Sequence, residues 1–329
     1  MRLGRQGSML VLALWVLTLL SVFSLSLGLG VRQRAALLDR LCTLDALYPI
    51  AYSGVEKAKS LVKSDADSTV DTLTDSWAAA EPAEGLANGT FSLGSPAHPG
   101  LTDEERKINL NATSTEILSR LFQSAAGLPR EHAEEAAYCL IDWMDSDSFF
   151  GHPQYGAEAQ YYESLNHPYT PLNKPFQIVD EMLLVKGMTP ELFEKIKPFV
   201  TVYGSGQVNI NTAPREVLAA LGFSEDGVGA ITRYRAGGDG LDGTSDDNFF
   251  QSTGSIANDL KTKGDKPLEA TQEAMLESLL NASRLGVSST AFRVTSHAVL
   301  AKNKASLDVE AVIDRQGNVR YSRASEVRL

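Results

Sequence analysis

The chain has 329 residues, of which 43% are hydrophobic and 22% are charged. This composition excludes a wholly disordered protein, and the length is sufficient for about two domains. The formal net charge of −11 disfavours binding to a nucleic-acid backbone, whereas it suits calcium or a cationic partner surface. Two cysteines, Cys42 and Cys139, are too few for a disulfide framework, and the sequence leaves open whether they form one bridge or two thiols.

The N-terminal segment predicts a membrane anchor. Arg2 and Arg5 precede an uncharged stretch at 8–31, which as a helix is long enough to cross about 30 Å of hydrocarbon. Its end lacks the small-residue site of a cleaved secretory signal, so a retained anchor is favoured. Apolar residues at helical spacing continue to Val62, which predicts a single helix of about fifty residues with a kink at Pro49.

The N-terminal edge of this segment also has the layout of a prepilin leader. Basic residues are followed by Gly7 and then, from Ser8, directly by the apolar run. Such a leader is cut after the glycine on the cytoplasmic side, while the apolar helix remains. Many plain anchors have a nearby glycine, so both interpretations stay open at this point.

Two regions outside the helix predict β-structure. The segment 65–98 is polar, with a short strand predicted at 89–93. From Ala291 onward, apolar and polar residues alternate with a period of two. Strands are predicted at 291–300, 305–313 and 318–322, with turns at 303–304 and 315–317. This part of the chain predicts an antiparallel meander.

The middle of the chain contains an internal repeat. Ile108-Asn-Leu-Asn-Ala-Thr begins the first copy, and Val208-Asn-Ile-Asn-Thr-Ala begins the second, one hundred residues later. Each copy continues with a helix, a glycine-bearing turn and a second helix. The predicted helices lie at 115–122 and 131–143 in the first copy, and at 214–221 and 229–235 in the second. Between the copies, 179–200 predicts another helical pair, with Gly187-Met-Thr-Pro as its turn.

This arrangement resembles the helix-hairpin-helix module, whose hairpin amides hold a phosphate in DNA-binding proteins. The charges argue against that use. From Gly204 to Phe250 there are three basic and seven acidic residues, and from Lys107 to Glu158 there are three and eight. A compact packing unit is the favoured interpretation, and a membrane-anchored DNA-binding protein is the alternative.

Each copy ends in an acidic loop that is followed by two phenylalanines, Phe149-Phe150 in the first and Phe249-Phe250 in the second. Calcium prefers six to eight oxygen ligands from a loop that can curl. The candidate ligands are Asp142, Asp145, Asp147 and Glu158 in the first loop, and Asp239, Asp242, Asp246 and Asp247 in the second. Neither loop has the spacing of an EF-hand. A solvated acidic loop is the alternative, but a divalent cation would relieve the repulsion among these carboxylates.

A succession of motifs resembles the large minor pseudopilin, the K class, of bacterial type II secretion systems. The resemblance covers nearly the whole chain. Its motifs are Gly7-Ser-Met-Leu-Val-Leu-Ala-Leu-Trp-Val-Leu, Lys107-Ile-Asn-Leu-Asn, Leu140-Ile-Asp-Trp-Met-Asp-Ser-Asp, Gly156-Ala-Glu followed by Tyr161-Tyr162, Pro168-Tyr169, Asp180-Glu181, Val208-Asn-Ile-Asn-Thr-Ala-Pro-Arg-Glu-Val-Leu and Asp239-Gly-Leu-Asp-Gly-Thr. Ala159 and Gln160 stand where acidic residues are common in the family, which predicts weaker metal binding in the first loop.

The resemblance implies an α+β pilin fold, with a long N-terminal helix, an antiparallel sheet and a large inserted α-helical domain that contains the helix-hairpin-helix-like repeats. The pilin part is expected to include the strands near Gly89 and Ile108. The expected divisions are a leader at 1–7, a transmembrane part at 8–31, the pilin helix and first strands at 32–110, the inserted domain at 111–285 and the C-terminal strands at 286–329. Family calcium sites lie in the insert, which supports calcium in the acidic loops.

After cleavage following Gly7, Leu12 is the fifth residue of the mature chain. Most pilins have a glutamate there, whose carboxylate pairs with the N-terminal amine of a neighbouring subunit inside an apolar bundle. Leu12 cannot form that pair, so this subunit fits best as the first one in a filament.

The resemblance therefore predicts a structural protein that initiates and caps the pseudopilus tip with the I- and J-class minor pseudopilins. It also implies processing by a prepilin peptidase, a single helix in the bacterial inner membrane and a periplasmic C-terminal body. No nucleic-acid partner is expected. No nucleophile elbow, Walker loop or dinucleotide fingerprint is present, so an enzyme is not predicted.

Overall fold

The computed structural model describes residues 6–86, 88–94, 99–152, 154–264 and 266–328. Its first element is a helix of 58 residues, α1 (Gln6–Lys63), which remains helical through Pro49. Proline removes one backbone donor here, and the Ser53 hydroxyl donates to the Pro49 carbonyl at 2.8 Å. The predicted long helix is confirmed, and it is slightly longer than the apolar spacing indicated.

An antiparallel sheet of six strands, counted among the described residues, packs on the C-terminal half of α1. Its strands are β1 (Glu84–Leu86), β2 (Gly89–Leu93), β3 (Thr102–Asp103), β8 (Ala291–Leu300), β9 (Ser306–Asp314) and β10 (Val319–Arg328). The strand order is β1-β2-β8-β9-β10, and β3 pairs with β8 beside β2. The register places Gly89 opposite Leu300 and Ala298 opposite Leu307. The predicted meander is confirmed.

Apolar spacing explains why α1 lies on this sheet. Leu47, Ala51, Val55, Ala58 and Val62 recur every three or four residues and are all buried. They face the inward side chains of β2, β8 and β9, which alternate with half-buried residues along the strands. A Cβ atom at Gly54 would overlap the Ser296 side chain, so this glycine permits the close approach of the helix.

The remainder of the chain forms an α-helical domain. Its helices are α2 (Thr115–Ala126), α3 (Arg130–Met144), α4 (Ala159–Glu163), α5 (Pro190–Ile196), α6 (Arg215–Leu221), α7 (Glu225–Arg235), α8 (Ile256–Thr262) and α9 (Ala270–Asn281). Short 3₁₀ turns lie at Leu110–Ala112, Val179–Leu184, Lys197–Phe199 and Thr253–Ser255. One hydrophobic core, from Ile108 to Leu285, unites these elements. The predicted fold class, a long helix with an antiparallel sheet and a helical insert, is confirmed.

Two short parallel strand pairs bracket the copies of the repeat. Strand β4 (Ile108–Asn109) pairs with β5 (Val200–Thr201), and β6 (Val208–Asn209) pairs with β7 (Leu285–Gly286). The expectation that the strand at Ile108 belongs to the large sheet is therefore wrong. Ile108 is buried in the helical core, because its strand pairs with β5 within the helical domain. The division of the chain at 111–285 stays a prediction.

Candidate functional site

The two copies of the repeat share one hydrogen-bonding device, an asparagine pair. In the first copy, the Asn109 side chain accepts from the Asn111 amide at 2.9 Å. The Asn111 side chain then bonds both backbone groups of Phe176, as donor to the carbonyl at 2.9 Å and as acceptor from the amide at 2.8 Å. These bonds explain why the sequence Asn-x-Asn recurs, since each asparagine satisfies backbone groups of a turn that has no helical partner.

The second copy repeats this device around Phe250. Asn209 accepts from the Asn211 amide at 3.0 Å, and the Asn211 side chain bonds the Phe250 carbonyl at 3.1 Å and its amide at 2.8 Å. The structural counterpart of Phe250 is therefore Phe176. Phe149 and Phe150, which follow the first acidic loop in the sequence, do not take this role, and they are 80% and 55% exposed.

The hairpin turns use their own backbone amides. Gly127 and Gly222 both have positive φ, at 69° and 107°, and end their helices with amides directed at helical carbonyls. The amide of Leu128 donates to the Phe122 carbonyl at 3.2 Å, and that of Phe223 donates to the Leu218 carbonyl at 3.3 Å. These amides cap helices, so the DNA-binding alternative gains no support from the hairpins.

The first acidic loop brings three of its four predicted residues together. Ligand atoms of Asp142, Asp145 and Glu158 lie within 4.8 Å of one another. Asp142, at the C-terminal end of α3, accepts from the amides of Gly151 at 3.0 Å and Ala157 at 3.2 Å. Asp147 lies outside the cluster, and its side chain accepts from the Phe149 amide at 2.8 Å.

Glu158 is a buried carboxylate of this cluster that lacks hydrogen bonds from the described residues. It is 3% exposed, and neither of its carboxylate oxygens has a hydrogen-bond partner in the described part of the chain. Oδ1 of Asp145 is likewise buried without a partner there. Desolvation raises the pKa of Glu158 to about 7, helped by the negative charges of Asp142 and Asp145. Oxygen atoms that are buried, crowded and unpaired fit a hard divalent cation.

The second acidic loop also gathers three of its four predicted residues. Ligand atoms of Asp239, Asp246 and Asp247 lie within 4.8 Å of one another. Here, amides and a hydroxyl of the same loop donate hydrogen bonds to its carboxylates. Asp246 accepts from the amides of Gly238 at 2.7 Å and Asp239 at 3.1 Å, and hydrogen bonds from Thr244 and these amides lower its pKa.

Asp242 does not join that cluster. Its carboxylate accepts from the buried Arg235 guanidinium at 3.0 Å, and Arg235 also donates to the Ala213 carbonyl at 2.6 Å. Asp242 therefore neutralises a buried cation that holds the start of the second repeat copy. A cation in this loop would compete with satisfied hydrogen bonds, so the geometry favours the first loop.

A third acidic cluster, Asp65, Asp71 and Asp75, was not predicted from the sequence. Arg315 occupies it, with ion pairs to Asp65 at 3.0 Å and to Asp71. Asp71 also accepts from the Ser289 amide at 2.7 Å. A guanidinium therefore supplies the positive charge at this position, where it connects the end of α1 to the C-terminal strands.

A buried run of charged residues, 103–107, joins the sheet to the helical domain and was also missed. Asp103 accepts from Thr212 at 2.5 Å and from Asn209 at 3.1 Å. Glu104 pairs with Lys107 at 2.6 Å and with Arg293 at 2.7 Å. The signal in the sequence is five consecutive charged residues directly before the first repeat, where a solvated surface would be the ordinary expectation.

Residues predicted for processing and assembly lie at the start of α1. The backbone of Gly7 and Ser8 is helical, and the side chain of Ser8 lies outside the described part of the chain. Leu12 is 67% exposed, and the apolar side chains of the following turns are exposed in every direction. The helix from Met9 is long and apolar enough to cross a membrane. Cys42 is exposed on this helix and Cys139 is buried in the helical core, both as free thiols.

Comparisons with known proteins agree with this architecture. A family model described as "Type II secretion system (T2SS), protein K" matches residues 97–205. A type II secretion system protein K from Klebsiella pneumoniae is 28% identical over 239 residues, which cover 66% of this chain and 69% of that protein. One from Pseudomonas aeruginosa is 26% identical over 242 residues, which cover 67% and 69%. The match to one from Aeromonas hydrophila is 38% identical over 84 residues, a quarter (25%) of each chain.

A solved structure shares the fold. The crystal structure of the GspK-GspI-GspJ complex from the enterotoxigenic Escherichia coli type 2 secretion system contains a chain that superposes with a TM-score of 0.66. The superposition covers 87% of this chain and 99% of that chain, at 22% sequence identity. The likeness includes the long helix, the antiparallel sheet and the helical domain.

Proposed function

Because the chain belongs to the protein K family of the type II secretion system, we propose that it is the minor pseudopilin that initiates and caps the pseudopilus tip. The observation that carries this proposal is the architecture itself. A bulky helical domain is inserted into a pilin-like body, at the end of a helix whose first part is apolar and exposed in all directions.

The anchor lies in the inner membrane and the body lies in the periplasm. The uncharged stretch at 8–31 matches the hydrocarbon thickness, and Arg32 and Arg34 end it. Cationic residues stand on both sides, so the positive-inside rule does not set the direction. Cleavage after Gly7 on the cytoplasmic side would set the direction, because it leaves Ser8 at the cytoplasmic face and the rest of the chain on the other side of the membrane.

The exposed face of α1 is the surface proposed to meet the I- and J-class minor pseudopilins. Leu17, Leu20 and Phe23 are each more than half exposed, and an apolar helix of this kind is stable only against lipid or other apolar helices. In a filament, neighbouring subunits replace the lipid. The GspK chain in the related structure is itself in a complex with GspI and GspJ.

Leu12 supports the tip position. A carboxylate inside an apolar bundle is stable only when it is paired, and the first subunit has no earlier subunit whose amine could pair with it. Leu12 removes that requirement. The helical domain would obstruct a further subunit stacked on the same end.

Calcium is proposed to stabilise the helical domain, with Asp142, Asp145 and Glu158 as the residues that would hold it. When bound, the ion would supply positive charge to carboxylate oxygens that have no hydrogen-bond partner in the described part of the chain. Asp142 fixes the loop by accepting the Gly151 and Ala157 amides, which keeps Glu158 beneath the end of α3. A cluster at Asp239, Asp246 and Asp247 is a second, weaker candidate.

The processing step is tested by the intact mass of the protein extracted from membranes with and without the prepilin peptidase. We expect a mass that begins at Ser8 only when the peptidase is present. Gly7→Val should abolish the change, whereas the control Gly30→Val, in an open part of the same helix, should be processed normally. A full-length mass in both strains would contradict the proposal.

The tip position is tested by comparing Leu12→Glu with Leu14→Glu in a secretion assay. Both leucines are more than 60% exposed on α1, at 67% and 63%. At a tip, either glutamate is unpaired in the membrane, so both variants should lose secretion to a similar degree. If Leu12→Glu secretes normally while Leu14→Glu does not, the chain occupies an interior position, where an amine pairs with the new carboxylate.

A further inference from the structure

A cavity of about 420 Å³ lies where the large sheet meets the helical domain. The sheet contributes Thr102, Arg293 and Thr295 to its lining. The connecting segment contributes Arg106 and Lys107, and the helical domain contributes Pro198, Phe199 and Pro214. Its volume lies within the range of roughly 300–1,000 Å³ that small-molecule sites occupy. Three cationic side chains therefore face one cavity in a chain whose net charge is −11.

Two of these cations are already neutralised. Lys107 donates to Glu104 at 2.6 Å, and Arg293 donates to the same carboxylate at 2.7 Å. Arg293 also pairs with Glu310. These four side chains form a closed group of two cations and two anions.

Arg106 is different. Among the described residues, its guanidinium makes no hydrogen bond and no ion pair within 4.0 Å, although the side chain is only partly exposed. Arg106 therefore lines this cavity, together with Pro198, Phe199 and Pro214, with a guanidinium that carries five N–H donors.

The carboxylates near Arg106 have other partners. Asp103 accepts from Thr212 and Asn209, and Asp242 accepts from Arg235. Both act on Arg106 through space, as does Glu216 at the start of α6. Burial lowers the pKa of the Arg106 guanidinium, and these negative charges oppose that shift without occupying its donors.

We propose that this cavity binds a small oxyanion, the phosphate or carboxylate group of a periplasmic solute, through a two-point contact with Arg106. A planar guanidinium matches the spacing of two oxygens on such a group. Burial in the cavity strengthens the contact, because fewer water molecules compete for the donors. The proposal does not rest on the tip position, since neither Leu12 nor Glu158 takes part; it takes from the proposed function only that the body lies in the periplasm.

The test is calorimetric titration of the detergent-solubilised full chain with inorganic phosphate and, separately, with citrate, at ionic strength held constant with sodium chloride. We expect one saturable site for at least one of the two anions. Binding of phosphate alone identifies a phosphate ligand, and binding of citrate alone identifies a carboxylate ligand. If neither anion saturates the wild-type chain, the proposal is wrong.

Variants test whether Arg106 is the residue that binds the anion. Arg106→Gln should weaken binding at least about tenfold, and Arg106→Lys should weaken it less, because it keeps the charge and loses the planar fork. Glu216→Gln should strengthen binding, since it removes a nearby negative charge. The control is Arg130→Gln, an exposed arginine paired with Glu134 on α3, which should bind as the wild type does.

Unchanged binding in Arg106→Gln would overturn the proposal. Melting temperature and Trp143 fluorescence report whether that variant is folded. If it is not, Arg106→Lys and Glu216→Gln decide the matter, because the proposal requires opposite changes in their affinities. No change in either would also overturn it.

Discussion

The two acidic loops have similar sequences, but their carboxylates differ in burial and in hydrogen bonding. In the first, Glu158 is buried and neither carboxylate oxygen has a partner among the described residues. In the second, Asp246 is exposed and accepts two backbone amides of its own loop. A dense group of carboxylates is therefore not sufficient evidence for a cation site. What matters is whether the protein has already satisfied their oxygens.

Backbone conformation explains the difference. In the second loop, Gly237, Gly240 and Gly243 all have positive φ, which folds the loop tightly and directs its amides inward. In the first loop, the amides of Gly151 and Ala157 both donate to Asp142, and neither carboxylate oxygen of Glu158 accepts a hydrogen bond from the described residues. The comparison yields four predictions, given below in order of decreasing effect.

The largest effect concerns the phenylalanines. Phe250→Ala and Phe176→Ala should each lower the free energy of unfolding by about 3–5 kcal/mol, because both side chains are buried in the helical core. The control Phe150→Ala should change it by less than about 0.5 kcal/mol, since Phe150 is largely exposed. Urea unfolding of the full chain in detergent, followed by Trp143 fluorescence, measures all three. Equal losses at Phe150 and Phe250 would contradict the assignment of Phe176 as the counterpart of Phe250.

The second effect separates the aspartates of the two loops. Asp142→Ala should lower the unfolding free energy by about 2–3 kcal/mol, because it leaves the Gly151 and Ala157 amides without an acceptor. Asp239→Ala removes one exposed bond, to the Leu241 amide, and should have a much smaller effect. Amide hydrogen exchange should accelerate at Gly151 and Ala157 in the first variant. Slow exchange there would mean that other groups hold the loop.

The third effect is metal-dependent. Calcium at ten times its dissociation constant should stabilise the wild-type chain by about 1.4 kcal/mol relative to the chelated protein. Glu158→Gln should remove most of this gain, whereas Asp246→Asn should keep it. Melting curves with and without calcium provide the measurement. The reverse ranking would place the principal cation in the second loop.

The smallest effect is the pH dependence of the chelated protein. The pKa of Glu158 is raised to about 7 in the folded state, so the folded protein binds a proton more tightly than the unfolded chain does. Stability should therefore rise by about 1 kcal/mol as the pH falls from 8 to 6, and it is lost as the pH rises through 7. With calcium present the slope should weaken or reverse, because the ion requires the ionised form.

Glu158→Gln should abolish this pH dependence in the absence of metal. The matched control is Glu163→Gln, on the short helix that follows the same loop, which should retain it. A slope that survives in Glu158→Gln would assign the titration to another group.

Much of the fold follows from patterns that are local in the chain. The apolar spacing of α1 and the alternation of β8 and β9 each report one buried face, because the helical and strand periods place every third or fourth residue, or every second one, on the same side. The two Asn-x-Asn motifs indicated the repeat because a similar short pattern begins each copy. Candidate carboxylates were also found, as clusters of Asp and Glu.

The misplaced elements depended on distant partners. Ile108 has the sequence of a strand, but only the parallel pairing with Val200 shows which layer it joins. Phe176 lies far from Asn111 in the chain, and nothing in its neighbourhood distinguishes it from Phe150. The buried charges at 103–107 are tolerated only because Arg293, Thr212 and Asn209 reach them from other elements.

The sequence by itself determined the membrane helix, the meander, the repeat and the two acidic loops, because each depends on residue type and spacing along a continuous segment. Only the tertiary structure decided which carboxylates lack a partner among the described residues, and that Arg106 lines a cavity where none of those residues accepts a hydrogen bond from it. Those properties depend on which donors arrive from elsewhere in the fold. Solvation and hydrogen bonding are set by that three-dimensional neighbourhood, and neighbours in space are not neighbours in sequence.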